Sequence, residues 1–308
     1  MISSPIWLPV TLIAGLLQAW RTAVQRRVSQ TLSVNAAGLV RYLYGLPFAL
    51  LLFLAYHWLL KAGALPSFGA ATVIYSAAAG LAQIIATNLL LMAFQHRNFV
   101  VGTAYSKTEA AQGALLSLFL LGENLSLLAW LGIAVGVIGV MLLSTGGKRT
   151  SAGDFLRALG QPAARYGIAS GLFFALTAVA VRRATMDVTT ADPISAALTV
   201  LAITVALQTL MQGGYLFWRE PLQARAVFST WRISGQVGLL SALGSACWFT
   251  GFATAPVALV RIVGQTEVIF TLSFAHFYLR ERLRSSEVLG LLLVVSGVVL
   301  ALMGAYTS

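Results

Sequence analysis

Apolar residues run along this chain in long blocks, and the breaks between blocks are short and polar. A helix rises ~1.5 Å per residue and must cross ~30 Å of hydrocarbon, so a membrane-crossing helix needs roughly 20 mainly apolar residues. On that measure the pattern predicts ten spans, at 6–27, 35–60, 69–94, 98–121, 126–145, 164–183, 192–218, 233–253, 256–280 and 285–305. The breaks fall where polar residues, Gly and Pro cluster: Ser29 to Asn35, Gly63 to Ser67, His96 to Asn98, Gly122 to Ser126, Asp187 to Pro193, Glu220 to Arg225 and Arg280 to Ser286. The longest polar interval, Gly146 to Arg165, carries Lys148, Arg149, Asp154 and Arg157 and reads as a linker. Within it Phe155, Leu156 and Leu159 fit either a solvated connection or a short amphipathic turn at the interface.

The chain is also written twice. Residues 92–144 align without a gap on 250–302 at a constant shift of 158, the interval from Glu109 to Glu267. This register pairs Phe94 with Phe252, Thr108 with Thr266, Glu123 with Glu281, Gly132 with Gly290 and Gly139 with Gly297. Gly15-Leu16 and Arg26-Arg27 pair with Gly171-Leu172 and Arg182-Arg183 at a shift of 156, the interval from Arg26 to Arg182. The expected organisation is therefore a first five-helix repeat over 1–145, a linker over 146–164 and a second repeat over 165–308. Because five is odd, the second repeat enters the membrane in the opposite sense. The expected fold is an all-α integral membrane protein of ten transmembrane helices in two inverted five-helix repeats, an arrangement that transporters use to build two gates around a midplane site.

Composition agrees with a membrane setting: 58% of residues are hydrophobic, 9% are charged and mean hydropathy is +0.85. Soluble domains carry about 25% charged residues. The opening residues lack a basic leader and a cleavage site, so they read as a retained first span. The single cysteine, Cys247, excludes a disulfide framework or a cysteine-rich metal site. Loops after the odd-numbered spans hold Arg26, Arg27, Arg97, Lys148, Arg149, Arg157, Arg165, Arg219, Arg225, Arg232, Arg280, Arg282 and Arg284, whereas the others hold only Lys61, Arg182 and Arg183. The positive-inside rule then places both termini outside, in a multi-pass plasma membrane such as a bacterial inner membrane. The net charge of +11 is this topological signal, scattered over loops, and not a nucleic-acid footprint.

Ionisable side chains at membrane depth cost roughly 2.5–3.5 kcal/mol each, so each is a functional candidate. Four lie near mid-span: Lys107 and Glu109 in the fourth span, Arg261 and Glu267 in the ninth. Positions two apart on a helix are rotated by about 200°, so Lys107 and Glu109 face different ways. Thr103 and Lys107 share one face, matched across the repeat by Arg261 and Gln265; Gly102, Ser106, Glu109 and Gly113 share the other. The two cations could present a positive site to an anionic or zwitterionic substrate, with Gln265 and Thr103 adding hydrogen bonds, or pair with glutamates of neighbouring helices; Arg261 could also snorkel. Glu109 and Glu267 fit a buried structural anchor, a proton carrier or a substrate contact.

Gln18, Gln83, Asn88, Tyr105, Ser241, Ser245 and Trp248 could line a cavity or bond between helices. Arg21 and Arg41 are expected at the membrane surface. Gly132 and Gly136 form a GxxxG contact surface, within the protein or between protomers, so a monomer or a homodimer fits. Glu123 and Glu281 are expected to cap helices or pair with loop arginines. His57, His96 and His276 are isolated, the aspartates lie in loops, and neither HExxH nor a phosphate-binding loop is present. No catalytic residue, metal site or cofactor is expected, and the chain does not read as an enzyme.

The segment Tyr105-Ser106-Lys107-Thr108-Glu109, followed by an apolar helix, Leu121-Gly122-Glu123-Asn124-Leu125 and a glycine-rich span, resembles a half of the EamA type in the drug/metabolite transporter superfamily. The second half repeats it with Gln265-Thr266-Glu267 and Leu279-Arg280-Glu281-Arg282-Leu283. The resemblance implies a ten-helix bundle with a central cavity and alternating access, often for export of amino acids or other small metabolites. Two departures are Ala110 and Val268, where a proline often follows the glutamate, so straighter helices are expected. The expected function is secondary active transport of amino acids or other small organic metabolites, with proton coupling through the glutamates one reading. The alternatives are a multidrug or organic-cation/proton antiporter and a passive facilitator. The expected partners are a small-molecule substrate, the lipid bilayer and protons, not nucleic acid.

Overall fold

The protein is represented by a computed structural model that describes residues 4–61, 63, 65–95, 105–144, 161–270, 272–273 and 285–306. Thr103, Glu281, the charged linker residues Lys148, Arg149, Asp154 and Arg157, and the turn at Phe155, Leu156 and Leu159 lie outside these residues. Every named element among them is helical: α1 (Trp7–Val28), α2 (Val34–Leu43), α3 (Gly45–Ala55, continued by a wider turn over Tyr56–Leu60), α4 (Ala70–Gln95), α5 (Glu109–Leu121), α6 (Leu127–Ser144), α7 (Pro162–Met186), α8 (Pro193–Arg219), α9 (Pro221–Ser229), α10 (Trp231–Thr254), α11 (Val257–Gly264) and α12 (Ser285–Tyr306). Among the described residues six stretches are long and apolar enough to cross a membrane: Val34–Leu60, Ala70–Ala93, Pro162–Met186, Pro193–Arg219, Trp231–Thr254 and Val288–Ala305. Two shorter apolar helices cover Glu109–Leu121 and Leu127–Leu142. Helix α1 has the length of a span but carries Arg21, Arg26 and Arg27, and the predicted spans at 98–121 and 256–280 fall partly outside the described residues.

Local chemistry explains the ends. Ser33 caps α2 by accepting the Ala36 amide, and Asp192 caps α8 by accepting the Ile194 amide at 3.0 Å, with Pro193 opening the helix where its missing N–H costs nothing. Gly122 closes α5 in the left-handed region at φ +67°, which lets the Glu123 amide reach back to the Ser117 carbonyl. The span expected at 35–60 is the single stretch Val34–Leu60, locally interrupted at Tyr44, because Pro47 has no N–H to donate to the Leu43 carbonyl where α2 stops. The expected break at Glu220 to Arg225 is largely helical: in α9, Ala224 and Val227 turn inward while Leu222, Arg225 and Phe228 face outward.

The chain divides into two compact units, Met1–Ile84 with Thr177–Ala255, and Ile85–Leu176 with Pro256–Ser308. Each takes sequence from both halves of the duplication. In the first unit α10 packs on α1, α2, α3 and α8, and Gly238 sits where a Cβ would lie 2.3 Å from the Tyr44 backbone. The loops of this unit are tied by polar contacts at two places. Ser33 donates to Glu220, Asn35 donates to Glu220 at 2.7 Å, and Gln223 accepts the Ser33 amide at 2.9 Å. Elsewhere, Asp192 accepts from Tyr56 at 2.6 Å and pairs with Lys61 at 2.9 Å, and His57 is buried between the Phe53 carbonyl and the Ser195 hydroxyl.

In the second unit α6 and α12 pack most closely. A Cβ on Gly132 would lie 2.5 Å from the Gly297 carbonyl, and one on Gly139 would lie 2.8 Å from that of Gly290. The glycine stripes that the repeat equates therefore face each other, and the Gly132/Gly136 surface is used inside the protomer.

Candidate functional site

Two helical stretches of the second unit are interrupted at positions that the repeat equates. One runs through Lys107-Thr108 just before α5, the other through Gln265-Thr266 just after α11. At both, amides bond three residues back in place of four: Thr108 to Tyr105 and Ala110 to Lys107 in one, Gln265 to Ile262, Thr266 to Val263 and Ile269 to Thr266 in the other. Both threonine hydroxyls donate to the same carbonyls, Thr108 to Tyr105 at 2.6 Å and Thr266 to Val263 at 2.7 Å. A hydroxyl competing for a helix carbonyl tightens the turn. Proline is absent from both places, and a threonine marks each interruption.

The tightened turns bring four charges together. Lys107 donates to Glu267 Oε2, and Arg261 Nη1 lies 3.5 Å from Glu109 Oε1 while Arg261 Nη2 donates to the Phe174 carbonyl at 2.8 Å. All four residues are buried, none more than 8% exposed. Each glutamate is thus neutralised by a cation from the other half of the duplication. Of the two roles open to Lys107 and Arg261 in the sequence, this conformation has them paired with glutamates, and Arg261 does not snorkel. Gln265 reaches the Lys107 carbonyl at 3.5 Å through space left by Gly136, where a Cβ would lie 2.5 Å from its Oε1. Gly171 admits α7 in the same way, because a Cβ there would lie 2.8 Å from the Ser106 carbonyl. Tyr105 is buried beside the turn and Asn88 is half-buried on α4. Glu123 caps α11, accepting the Val257 amide at 2.9 Å.

The remaining sequence candidates lie in the first unit. Gln18 accepts from the Trp248 indole at 3.0 Å, so these two bond between helices α1 and α10. Gln83 accepts from Gln208 at 2.8 Å, and its carbonyl accepts from the Tyr42 hydroxyl at 3.3 Å. Gln83 and Ser245 line a cavity of about 10 Å³, room for one water, together with Arg41, Tyr42, Gly45, Gln208, Ser241 and apolar walls. Arg41, expected at the membrane surface, is instead buried at 5% exposure, and Arg21 is buried as well. The reason is that α2 is packed against α8 and α10, which leaves the guanidinium no path outward. Sequence reasoning missed Arg41 and Gln208 as lining residues. The available signal was the stripe Gly38, Arg41, Gly45: a cation flanked by small residues at helical spacing, which suits a closely packed face and not a lipid-facing one.

Comparison with known proteins gives three results. A crystal structure aligns over 98% of this chain and 97% of its own, with a TM-score of 0.67 at 15% identity, so the two share a fold. The probable magnesium transporter NIPA1 of Arabidopsis thaliana is 33% identical over 86 residues, 28% of this chain and 22% of that relative, so the match spans about a fifth of the relative's length. The model of the EamA-like transporter family matches residues 5–145 and again 161–303, the two copies that the repeated Thr-Glu turns belong to. With both halves matched and nearly the whole chain covered, this protein belongs to the EamA-like transporter family.

Proposed function

We propose that this family member is a secondary active transporter that carries amino acids or other small organic metabolites by alternating access, exporting them across a plasma membrane with both chain termini outside. The observation that carries the substrate class is the lining of the first unit's cavity. One guanidinium, Arg41, is set among the neutral donors and acceptors of Gln83, Gln208, Ser241 and Ser245 in an otherwise apolar wall. Such a lining suits a carboxylate accompanied by a small polar group. At about 10 Å³ it holds no organic solute as it stands, so its walls must separate for cargo to enter.

Coupling is assigned to the crossed ion pairs. A proton taken up by Glu267 leaves the Lys107 ammonium without that counter-charge in a buried setting, which favours a conformation where Lys107 meets water or an anionic cargo group. Loss of that proton restores the pair. Interruptions in two helices from opposite halves are what transporters of inverted-repeat design place beside their sites.

The relative named as a probable magnesium transporter raises a divalent cation as cargo. A hard cation needs several oxygen ligands, but among the described residues no three of His, Cys, Asp and Glu gather, and both buried glutamates of the second unit face cations. The same pairing disfavours an organic-cation exchanger. The test is flux into proteoliposomes holding the purified protein, with labelled amino acids, organic cations and Mg²⁺, with and without an imposed pH gradient. Amino-acid movement that responds to the gradient is expected. Movement of Mg²⁺ or organic cations alone would overturn the reading. Arg41→Gln should weaken apparent affinity for carboxylate cargo by about 10- to 100-fold, the worth of a charged hydrogen bond, and Arg41→Lys should keep part of it.

A further inference from the structure

The connection from the end of α8 to the start of α10 does more than join two spans. Membrane-length helix ends at Arg219 and resumes at Trp231, and α9 lies between. The outer surface of this stretch combines large apolar groups with cations: Trp218, Leu222, Phe228 and Trp231 are each more than half exposed (75, 78, 53 and 59%), and Arg219, Arg225 and Arg232 are exposed beside them. Two of the arginines lie over the neighbouring indoles, Arg219 over Trp218 at 4.8 Å and Arg232 over Trp231 at 5.5 Å. Glu220, the one acidic residue between 214 and 236, is turned inward to accept from Ser33 and Asn35, so it does not neutralise them. The surface is also fixed: Gln223 holds the Ser33 amide, the Tyr44 hydroxyl donates to the Val227 carbonyl at 3.1 Å, and Ala224 and Val227 are buried underneath.

We propose that residues 218–232 form a recognition surface for acidic phospholipid headgroups in the leaflet this end of the protein faces. Indoles and the apolar face of a short amphipathic helix settle at the boundary of headgroups and acyl chains. That depth brings three guanidinium groups level with the phosphates, and charge complementarity selects anionic over zwitterionic lipid. Arg26 and Arg27, exposed at the end of α1, add to the same sign of charge within this unit.

The experiment is native mass spectrometry of the full chain released from nanodiscs of phosphatidylcholine mixed with phosphatidylglycerol, counting the lipids that remain bound. Wild type should retain phosphatidylglycerol preferentially. Arg219→Gln, Arg225→Gln and Arg232→Gln should each lower that retention about fivefold, the worth of one basic residue near an anionic surface, and the triple variant should abolish the preference. Arg183→Gln, which removes an exposed arginine placed over Tyr75, should leave retention unchanged. Thermal unfolding in detergent separates loss of lipid from loss of fold, because the three side chains are exposed and their replacement should not shift the midpoint. Equal retention of the two lipids by wild type, undiminished retention in the folded triple variant, or displacement of the lipid by millimolar inorganic phosphate would each overturn the proposal.

Discussion

Lys107 and Glu267 meet in the interior, each 6% exposed, and burial sets what it costs to separate them. Removing one partner strands an ion, a loss of about 3–5 kcal/mol, whereas removing both for apolar groups of similar volume is close to neutral. Lys107→Met and Glu267→Leu should therefore each be strongly destabilising and the double variant much less so, read as unfolding midpoints in detergent; additive effects would show that the two side chains do not depend on each other. Asp192 is a different case, at a helix start outside the spans. Burial works against its ionisation, but the bonds from Tyr56, Lys61 and the Ile194 amide outweigh it and hold its carboxyl below the ordinary value. A lowered folded value means the stabilisation is present above the unfolded value of about 3.9 and fades as pH falls through the folded one. Asp192→Asn should accordingly lie below wild type in midpoint at pH 7 and approach it as pH falls through the lowered folded value. At this scale the sequence identified which four mid-span residues carry charge but not whom they face. A helical wheel assigns a side chain to a face, and the neighbour across that face is a property of packing between segments more than 150 residues apart, as Lys107 and Glu267 are.

The elements were legible where apolar length and punctuation agree. Asp192-Pro193 and Gly122 mark real helix ends, and the paired glycine spacing of α6 and α12 marks their contact. Legibility failed where a polar string folds against its own neighbours. The stretch after Glu220 looks like a loop by composition, yet Ala224 and Val227 give α9 an inner face, and the two interruptions form without the proline that would announce them. The glycine contact separates crowding from conformational freedom. Gly132→Ala, with backbone 2.5 Å from the new Cβ, should destabilise by about 1–3 kcal/mol through overpacking. Gly214→Ala, on α8 with nothing within 4 Å, should be neutral or stabilising by up to about 1 kcal/mol because alanine favours helix. Chemical unfolding of the two variants side by side checks the contrast, and equal effects would remove close packing as the role of the stripe.

For the whole molecule, the duplication was readable from residue spacing, and the family from the resemblance of the repeated Thr-Glu and Leu-x-Glu segments to EamA-type halves, because both are carried by order along the chain. The division into compact units was not, since each unit draws on both halves and the chain crosses between them inside α4, inside α7 and between α10 and α11. A half is therefore not a compact unit by itself. Residues 1–145 or 165–308 expressed alone should be degraded or protease-sensitive, and co-expression of the two should restore a protease-resistant pair that purifies together. A stable, monodisperse single half would contradict this. The position of Arg41 belongs to the same scale: it is buried by helices that follow it by more than 150 residues.

The crossed pairs are not copies of one another. Glu109 and Glu267 are equivalent, but their cations come from positions whose counterparts are Gln265 and Thr103, and one is a lysine while the other is an arginine that also holds a backbone carbonyl. A lysine presents a compact, rotatable ammonium, whereas an arginine is a planar clamp that gives up its contacts less readily. Two interchangeable halves would give the inward- and outward-open states equal energy and leave direction wholly to the gradients. In the alternating-access cycle proposed above, unequal latches would break that degeneracy and give the chain a preferred side on which to wait, a resting bias that would come from sequence drift between the copies and not from the cargo.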